Sequence, residues 1–301
     1  MIEFKPIGID DKKLIDKYLS LVNYKNCDFA FASLFCWQTK YHTSFAEIND
    51  FLVIRYLCDD GLPCYMMPIG HGDFATVLRL IMADVKERNE RFRIHAITSQ
   101  MFDLLDRALP NTFIFKEHRD FFEYLYLTED LALLKGKKYQ AKRNHINRFK
   151  IECPDFKIQP IKSENIQQCL ELYNLWADLH LIRYPEEDLI EEQISVLRAL
   201  DNYDELGLKG ILLYAVDRVV AFSYGESITF DTFAVHVEKA LHDVHGAYAM
   251  INQQFAQQVA SNYLYINREE DLGIESLRQA KLSYHPHALL QRGSVNLIDS
   301  K

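Results

Sequence analysis

Between Asn267 and Pro286 the chain reads Asn-Arg-Glu-Glu-Asp-Leu-Gly-Ile-Glu-Ser-Leu-Arg-Gln-Ala-Lys-Leu-Ser-Tyr-His-Pro. Tyr263–Ile266, just before it, alternates aromatic and aliphatic residues and reads as a short buried strand. The polar run then opens a helix from Asp271 to Ser283, with Asp271 either its N-cap or a functional carboxylate. Pro286 stops that helix. Arg278 and Lys281, three apart, project from one face, and Tyr284 follows along it. Together with Arg268 these groups gather where a strand gives way to a helix, a favoured place for ligands in α/β folds.

Three other groups could do chemistry. Glu238 and Lys239 end a strand predicted from Asp231 to Val237, and neighbouring strand residues face opposite ways. A glutamate there, or Glu226 at the end of its own strand, can take a proton from an incoming amine or hydroxyl. Lys239 would then neutralise a donor phosphate. The alternative is a surface ion-pair network with Arg268, Glu269 and Asp271. Gly246-Ala247-Tyr248 opens a helix, where free N–H groups and the helix dipole favour an anion, unless Gly246 only permits a sharp turn. Leu131–Lys150 carries Lys135, Lys137, Lys138, Lys142, Arg143, Arg148 and Lys150, with no acid after Asp130. Such a cluster suits phosphates of a tRNA, a coenzyme A or a lipid headgroup. Its alternative is a solvated linker helix paired with the acidic remainder of the chain.

Composition narrows the field. The 301 residues suffice for two ordinary domains, and 49% hydrophobic with 26% charged residues describes a globular protein. A net charge of −9 argues against sequence-blind nucleic-acid binding, so any tRNA must be met locally. No apolar run is long enough for a signal peptide or a membrane span. The six cysteines show no zinc spacing and read as reduced thiols in a cytoplasmic protein. His236, His242, His245, His285 and His287 lack metal-site spacing, and no metal is expected. GxSxG, P-loop and Rossmann fingerprints are absent, which disfavours hydrolase, NTPase and dehydrogenase chemistry.

The elements that must position these residues follow one order twice. In the first half an amphipathic helix spans Lys12–Tyr24, and a more buried segment follows at Phe29–Trp37. Phe51–Leu57 and Pro63–Ile69 make a hairpin about Asp59-Asp60-Gly61, followed by a helix Asp73–Arg88. A strand Phe92–Ile97 and a Ser99-capped helix to Leu109 complete the half. In the second half, after a helix from Ser163 to about Leu181, Gly210–Val216 and Val219–Tyr224 form a hairpin. The Asp231 strand, a helix from Gly246 to Val259, the Tyr263 strand and the Asp271 helix succeed it. The repeated order implies a duplicated unit, with a boundary near Cys153 separating 1–152 from 153–301.

The run Asn267–Gly273, with Leu277–Lys281 and Ser283–Pro286, resembles the signature of the DUF2156 family. That is the acyltransferase-like domain at the C-terminus of phosphatidylglycerol lysyltransferases. Gly136–Tyr139, Lys142–Phe149 (which includes Asn144), Val235–Ala240 and Gly246–Tyr248 extend the resemblance through most of the chain. It implies an α+β fold of two tandem GNAT-like domains, each a mixed, mostly antiparallel sheet flanked by helices. It also implies transfer of an acyl group, foremost an aminoacyl group from aminoacyl-tRNA, onto an amine or hydroxyl of a small molecule, peptide or lipid headgroup. GNAT enzymes hold coenzyme A on an Arg/Gln-x-x-Gly-x-Gly/Ala loop. Here His242-Asp243-Val244-His245-Gly246-Ala247 keeps only the final Gly and Ala. A coenzyme A-dependent N-acyltransferase is therefore the second reading, and a non-catalytic ligand or peptide module the third. No tightly bound cofactor is expected. Glu238, Lys239 and Glu226 are the catalytic candidates. Lys138, Lys142, Arg143, Asn144, Arg148, Gly246, Ala247, Tyr248, Arg268, Asp271, Arg278, Lys281 and Tyr284 are the candidates for substrate binding.

Overall fold

The computed structural model describes residues 1–186, 188–215 and 217–298. In chain order the first stretch comprises β1 (Lys5–Pro6), α1 (Lys12–Leu19), α2 (Phe31–Cys36), α3 (Gln38–Tyr41), β2 (Ser44–Ile48), β3 (Phe51–Leu57), β4 (Pro63–Tyr65), β5 (Ile69–Gly70), α4 (Phe74–Glu87), β6 (Arg93–Ile97), α5 (Ser99–Ala108) and β7 (Phe113–Glu117). Then come β8 (Glu123–Leu127), α6 (Thr128–Leu133), α7 (Gln140–Glu152), β9 (Lys157–Pro160), α8 (Ile166–Arg183), α9 (Ile190–Asp201), α10 (Tyr203–Leu206), β10 (Lys209–Ala215), β11 (Arg218–Ser227) and β12 (Thr232–Ala240). The chain ends with α11 (Ala247–Gln258), β13 (Tyr265–Asn267), α12 (Glu275–Leu282), β14 (Ala288–Leu290) and β15 (Gly293–Leu297). Val216, the expected end of a strand, lies outside the described residues.

Two compact units result. One takes Met1–Glu123, Glu270–Glu275 and the chain from Leu289, and the other takes Tyr124–Glu269 and Ser276–Ala288. The expected boundary at 152/153 thus falls inside the second unit, and the basic helix α7 belongs to that unit. The first sheet has the order β1-β2-β3-β4-β6-β15-β7, and the second β14-β8-β13-β12-β11-β10-β9. β4 with β6 and β12 with β13 are parallel pairs, and the other strand registers described are antiparallel. The duplicated order read from periodicity is present, with one addition. β15, from the end of the chain, lies between β6 and β7, while β8, from the first half, lies between β13 and β14.

Local chemistry accounts for the elements. Helix α4 buries Val77, Leu78, Ile81 and Val85 along one stripe, and the Asp73 carboxylate accepts the Thr76 N–H at 3.0 Å as its cap. Helix α5 is capped by Thr98, whose hydroxyl accepts from the Met101 N–H, rather than by Ser99. Cys58 and Cys64 form a disulfide, with Cα atoms 6.4 Å apart, so the reading of six reduced thiols does not hold for this pair. The reason is the turn: Cys58 N–H bonds the Leu62 carbonyl while Cys64 pairs with Tyr56, which sets the two cysteines diagonally across the hairpin. The other four cysteines are buried.

In the second unit α8 and α11 pack against β11 and β12, with Trp176 of α8 and Met250, Ile251 and Phe255 of α11 buried. Strands β12 and β13 pair only from Thr232 opposite Tyr265 to Ala234 opposite Asn267. Beyond Ala234, β12 runs on to Ala240 beside β11 while β13 ends. The other edge of Val235–Ala240 therefore has no strand partner among the described residues. A bulge interrupts this stretch: Val235 faces Gly225 and Val237 faces Tyr224, so His236 is the extra residue. Gly225 is required there, since a Cβ would sit 1.8 Å from the Ala234 carbonyl oxygen.

Candidate active site

The unpaired edge of β12 is lined by polar side chains from five elements of the second unit. Glu238, on β12, accepts from Arg268 Nη2 at 2.8 Å and from Asn252 Nδ2 of α11 at 3.1 Å, so both its oxygens are engaged. Arg268 directly follows β13, with its guanidinium over the rings of Tyr126 (5.8 Å) and Tyr284 (5.0 Å). Lys281 Nζ donates to the Arg268 carbonyl at 2.6 Å, and Tyr126 Oη donates to the Lys281 carbonyl at 2.7 Å. Lys281 is thus a buried brace for Arg268. Two polar atoms of this set, Arg268 Nη1 and Asn252 Oδ1, are buried with no hydrogen-bond partner.

Lys142, on the inner side of α7, stands over the Tyr284 ring at 3.9 Å and donates to Ser283 Oγ at 2.6 Å. Burial and the neighbouring Arg268 charge hold its ammonium down to about 8, against a smaller opposing effect of Glu238. Tyr284 itself is buried, which pushes its phenol up.

A second set adjoins through the sequence neighbours Arg268 and Glu269. Consecutive residues normally face apart. Glu269 has φ +56°, however, and this turn brings its carboxylate to His236 Nδ1 at 2.8 Å, while Glu226 meets Nε2 at 3.2 Å. Burial would lower the His236 pKa, but two carboxylate hydrogen bonds outweigh it and push it up to about 10. The bulged residue is therefore an imidazolium donating from both nitrogens.

The remaining sequence candidates are placed otherwise. Lys239 turns from Glu238 to form an ion pair with Glu192 at 2.6 Å and to stand 3.5 Å over Trp176. Lys138 pairs with Asp130 and Arg148 with Glu152. Arg143 donates to the Leu134 and Gly136 carbonyls, closing the end of α6, and Asn144 accepts from Gln140. Gly246 starts α11 at φ +81°, and the close approach it permits is to α7: a Cβ would lie 2.3 Å from the His145 carbonyl oxygen. Ala247 is buried behind it, and Tyr248 accepts from Trp176 Nε1 at 3.0 Å. Arg278 lies half-buried on α12. Asp271 belongs to the first unit, where it is fully buried, pairs with Arg119 at 3.0 Å and accepts the Gly273 N–H. It does not cap α12, which begins at Glu275. Tyr126, Asn252 and Glu269 were not among the sequence candidates, and His236 was read as an ordinary histidine. Glu269 carried a signal as part of the Asn-Arg-Glu-Glu-Asp run, and His236 one as part of Val235–Ala240.

Comparison with known proteins gives this geometry a family. The model of the C-terminal region of phosphatidylglycerol lysyltransferases matches residues 19–292. The chain belongs to that family. A solved conserved protein of unknown function from Bacteroides thetaiotaomicron is 43% identical, with a TM-score of 0.93 over 99% of this chain and 100% of that one. L-PGS from Bacillus licheniformis shares the fold at 13% identity and a TM-score of 0.67, over 100% of this chain and 95% of that one. An uncharacterised protein of Mycoplasmoides gallisepticum is 26% identical over 183 residues, 60% of this chain. That match spans 58% of the relative's own length. Two mixed sheets flanked by helices make this an α+β fold, and family and fold together relate the chain to the C-terminal region of phosphatidylglycerol lysyltransferases. No helix among the described residues is long and apolar enough to cross a membrane.

In the first unit Cys27, Asp28 and Glu123 bring metal-ligand types within 4.8 Å of one another. Arg292, however, is ion-paired to both Asp28 and Glu123, so a guanidinium already meets the charge a cation would meet.

Proposed function

We propose that the second unit transfers an aminoacyl group from aminoacyl-tRNA to an amine or hydroxyl acceptor. The observation that carries this reading is the buried, unsatisfied Arg268 Nη1 beside the unpaired edge of β12. A buried donor without an acceptor costs about 1–3 kcal/mol, a cost that a ligand oxygen entering the site would relieve. A donor ester carbonyl laid along β12 meets backbone N–H groups that carry no strand hydrogen bonds, and these stabilise the developing oxyanion. The exposed cations of the basic segment, Lys137, Arg148 and Lys150, supply local positive potential for tRNA phosphates on an otherwise acidic chain. The acceptor is a small molecule, a peptide or a lipid headgroup.

Coenzyme A is the second donor. The packing of Gly246 against α7 favours tRNA over it, because the helix start that would cradle a pyrophosphate is in contact with the His145 backbone. Thermal-shift titration with lysyl-tRNA, alanyl-tRNA and acetyl-coenzyme A decides between them. A donor present at a hundred times its dissociation constant stabilises the protein by about 2.7 kcal/mol. Stabilisation by charged tRNA that is lost in the Arg148→Glu/Lys150→Glu double variant supports aminoacyl transfer. A shift with acetyl-coenzyme A alone moves the assignment to N-acyl transfer, and none with any donor leaves a binding module.

A further inference from the structure

We infer that Lys142, rather than a glutamate, is the group that takes the acceptor's proton and passes it to the leaving oxygen. The inference rests on the acyl-transfer reading and names a catalytic residue within it.

Geometry excludes the carboxylates first. Both Glu238 oxygens are held, one by the Arg268 guanidinium and one by the Asn252 amide. Glu226 is held by the His236 imidazolium. These carboxylates thus already serve as acceptors for a guanidinium, an amide and an imidazolium. Lys142 is arranged in the opposite way. Its amine is half-buried, its hydrogen bond goes to the neutral Ser283 hydroxyl, and no carboxylate pairs with it among the described residues. The groups facing it are Arg268 at the end of β13, Tyr284 and Ser283 beyond α12, Glu238 across β12 and His145 on its own helix. The Tyr284 ring, which favours an ammonium, is shared with Arg268 and so serves Lys142 only in part. A buried amine beside a guanidinium is the usual way to make a lysine basic at neutral pH.

The step balances without further reagents. Acceptor nitrogen or oxygen bonds to the ester carbonyl carbon while its proton passes to the neutral Lys142 amine. The tetrahedral intermediate then expels the ribose oxygen, breaking the C–O bond, and the Lys142 ammonium returns the same proton to that oxygen. The amine ends as it began.

The rate then rises with pH through about 8, where Lys142 loses its proton. Two measurements on the full chain test this. Competitive labelling with acetic anhydride, read peptide by peptide by mass spectrometry, follows the basicity of Lys142 whatever the substrate. Half-ionisation near pH 8 is expected, and titration together with the exposed lysines overturns the proposal. With charged tRNA as donor, Lys142→Arg and Lys142→Ala are expected to lose about 10²–10⁴-fold in rate with the donor's thermal shift intact. Cys27, Cys36, Cys153 and Cys169 are all buried, so Lys142→Cys can be alkylated selectively with bromoethylamine. The resulting thioether amine restores activity, with the pH limb moved to lower pH because the sulfur weakens the base. Retained activity in Lys142→Arg overturns the proposal alone, since a guanidinium cannot accept the proton. Absence of transfer by the unaltered chain with every donor overturns the acyl-transfer reading and this proposal with it.

Discussion

His236 lies half-buried at a strand bulge, clamped between Glu226 and Glu269, and its charge ties the site to pH. Its pKa in the folded chain, about 10, exceeds the ordinary 6.5. The folded state therefore binds the extra proton between those values, so the contribution is complete below about pH 6.5 and is lost as pH rises toward 10. Lys142 acts with the opposite sign above pH 8, where the unfolded chain binds more protons than the folded one. Urea unfolding of wild type and His236→Gln at pH 6.5, 8 and 10 isolates the histidine. The gap between the two is expected to narrow as pH rises. A second residue-scale prediction concerns Arg292, which is ion-paired to Asp28, Glu123 (2.6 Å) and Glu270 (3.2 Å) within the first unit. Arg292→Met leaves those carboxylates without their cation and is expected to cost about 3–5 kcal/mol at pH 7. Equilibrium denaturation of wild type and variant at pH 7 measures it. At this scale the sequence was partly legible. The Asn-Arg-Glu-Glu run announced Arg268 as a site residue, and the pairing of Glu238 with Arg268 was anticipated as an alternative. That Lys142 faces inward while Arg148 faces outward depends on which side of α7 meets Tyr284, and charge spacing alone does not fix that.

At the scale of elements, the site exists because two glycines let backbones approach more closely than a side chain would permit. Gly225 sits opposite the bulge, and Gly246 allows the start of α11 to touch α7. Gly225→Ala forces β11 and β12 apart at His236, and Gly246→Ala adds a left-handed strain to a contact with the His145 carbonyl. Each is expected to destabilise by about 1–3 kcal/mol, as overpacked substitutions do. Gly225→Ala should in addition lower acyl transfer by more than its loss of stability explains, which a comparison of folded fraction and rate at one temperature would show. Hairpins and helices of both halves were legible because their apolar periodicity is local. Helix α12 was expected four residues too early, since Asp271 looks like a cap by type but spends its carboxylate on Arg119 and Gly273. The cross-strand Cys58–Cys64 pair was hidden for a related reason: the hairpin was read, but not which residues its turn sets diagonally.

For the whole molecule the division at 152/153 suggested by the repeat is not where the chain can be cut. Residues 1–152 lack β15, and residues 153–301 lack β8, each an inner strand of the sheet it completes. β8 buries Glu123, Tyr124, Leu125 and Tyr126, so its loss exposes both the sheet and its cover. Expressed separately, each fragment is expected to be unfolded or aggregated by circular dichroism and size exclusion, while the intact chain is folded. Well-folded fragments would show that the inner strands are dispensable. Neither β8 nor β15 was among the strands read from the sequence. A period-two pattern says that a strand forms, and only long-range pairing says which sheet receives it.

That arrangement also sets an order of events at the ribosome. The strands β1–β7 are translated well before residues 293–297, which fill the place between β6 and β7. Through most of synthesis the nascent chain therefore holds two open strand edges, of the kind that pair with other chains. Meanwhile β8, already made, waits for β13 and β14. A chain interrupted before residue 293 would be left with that sheet still open.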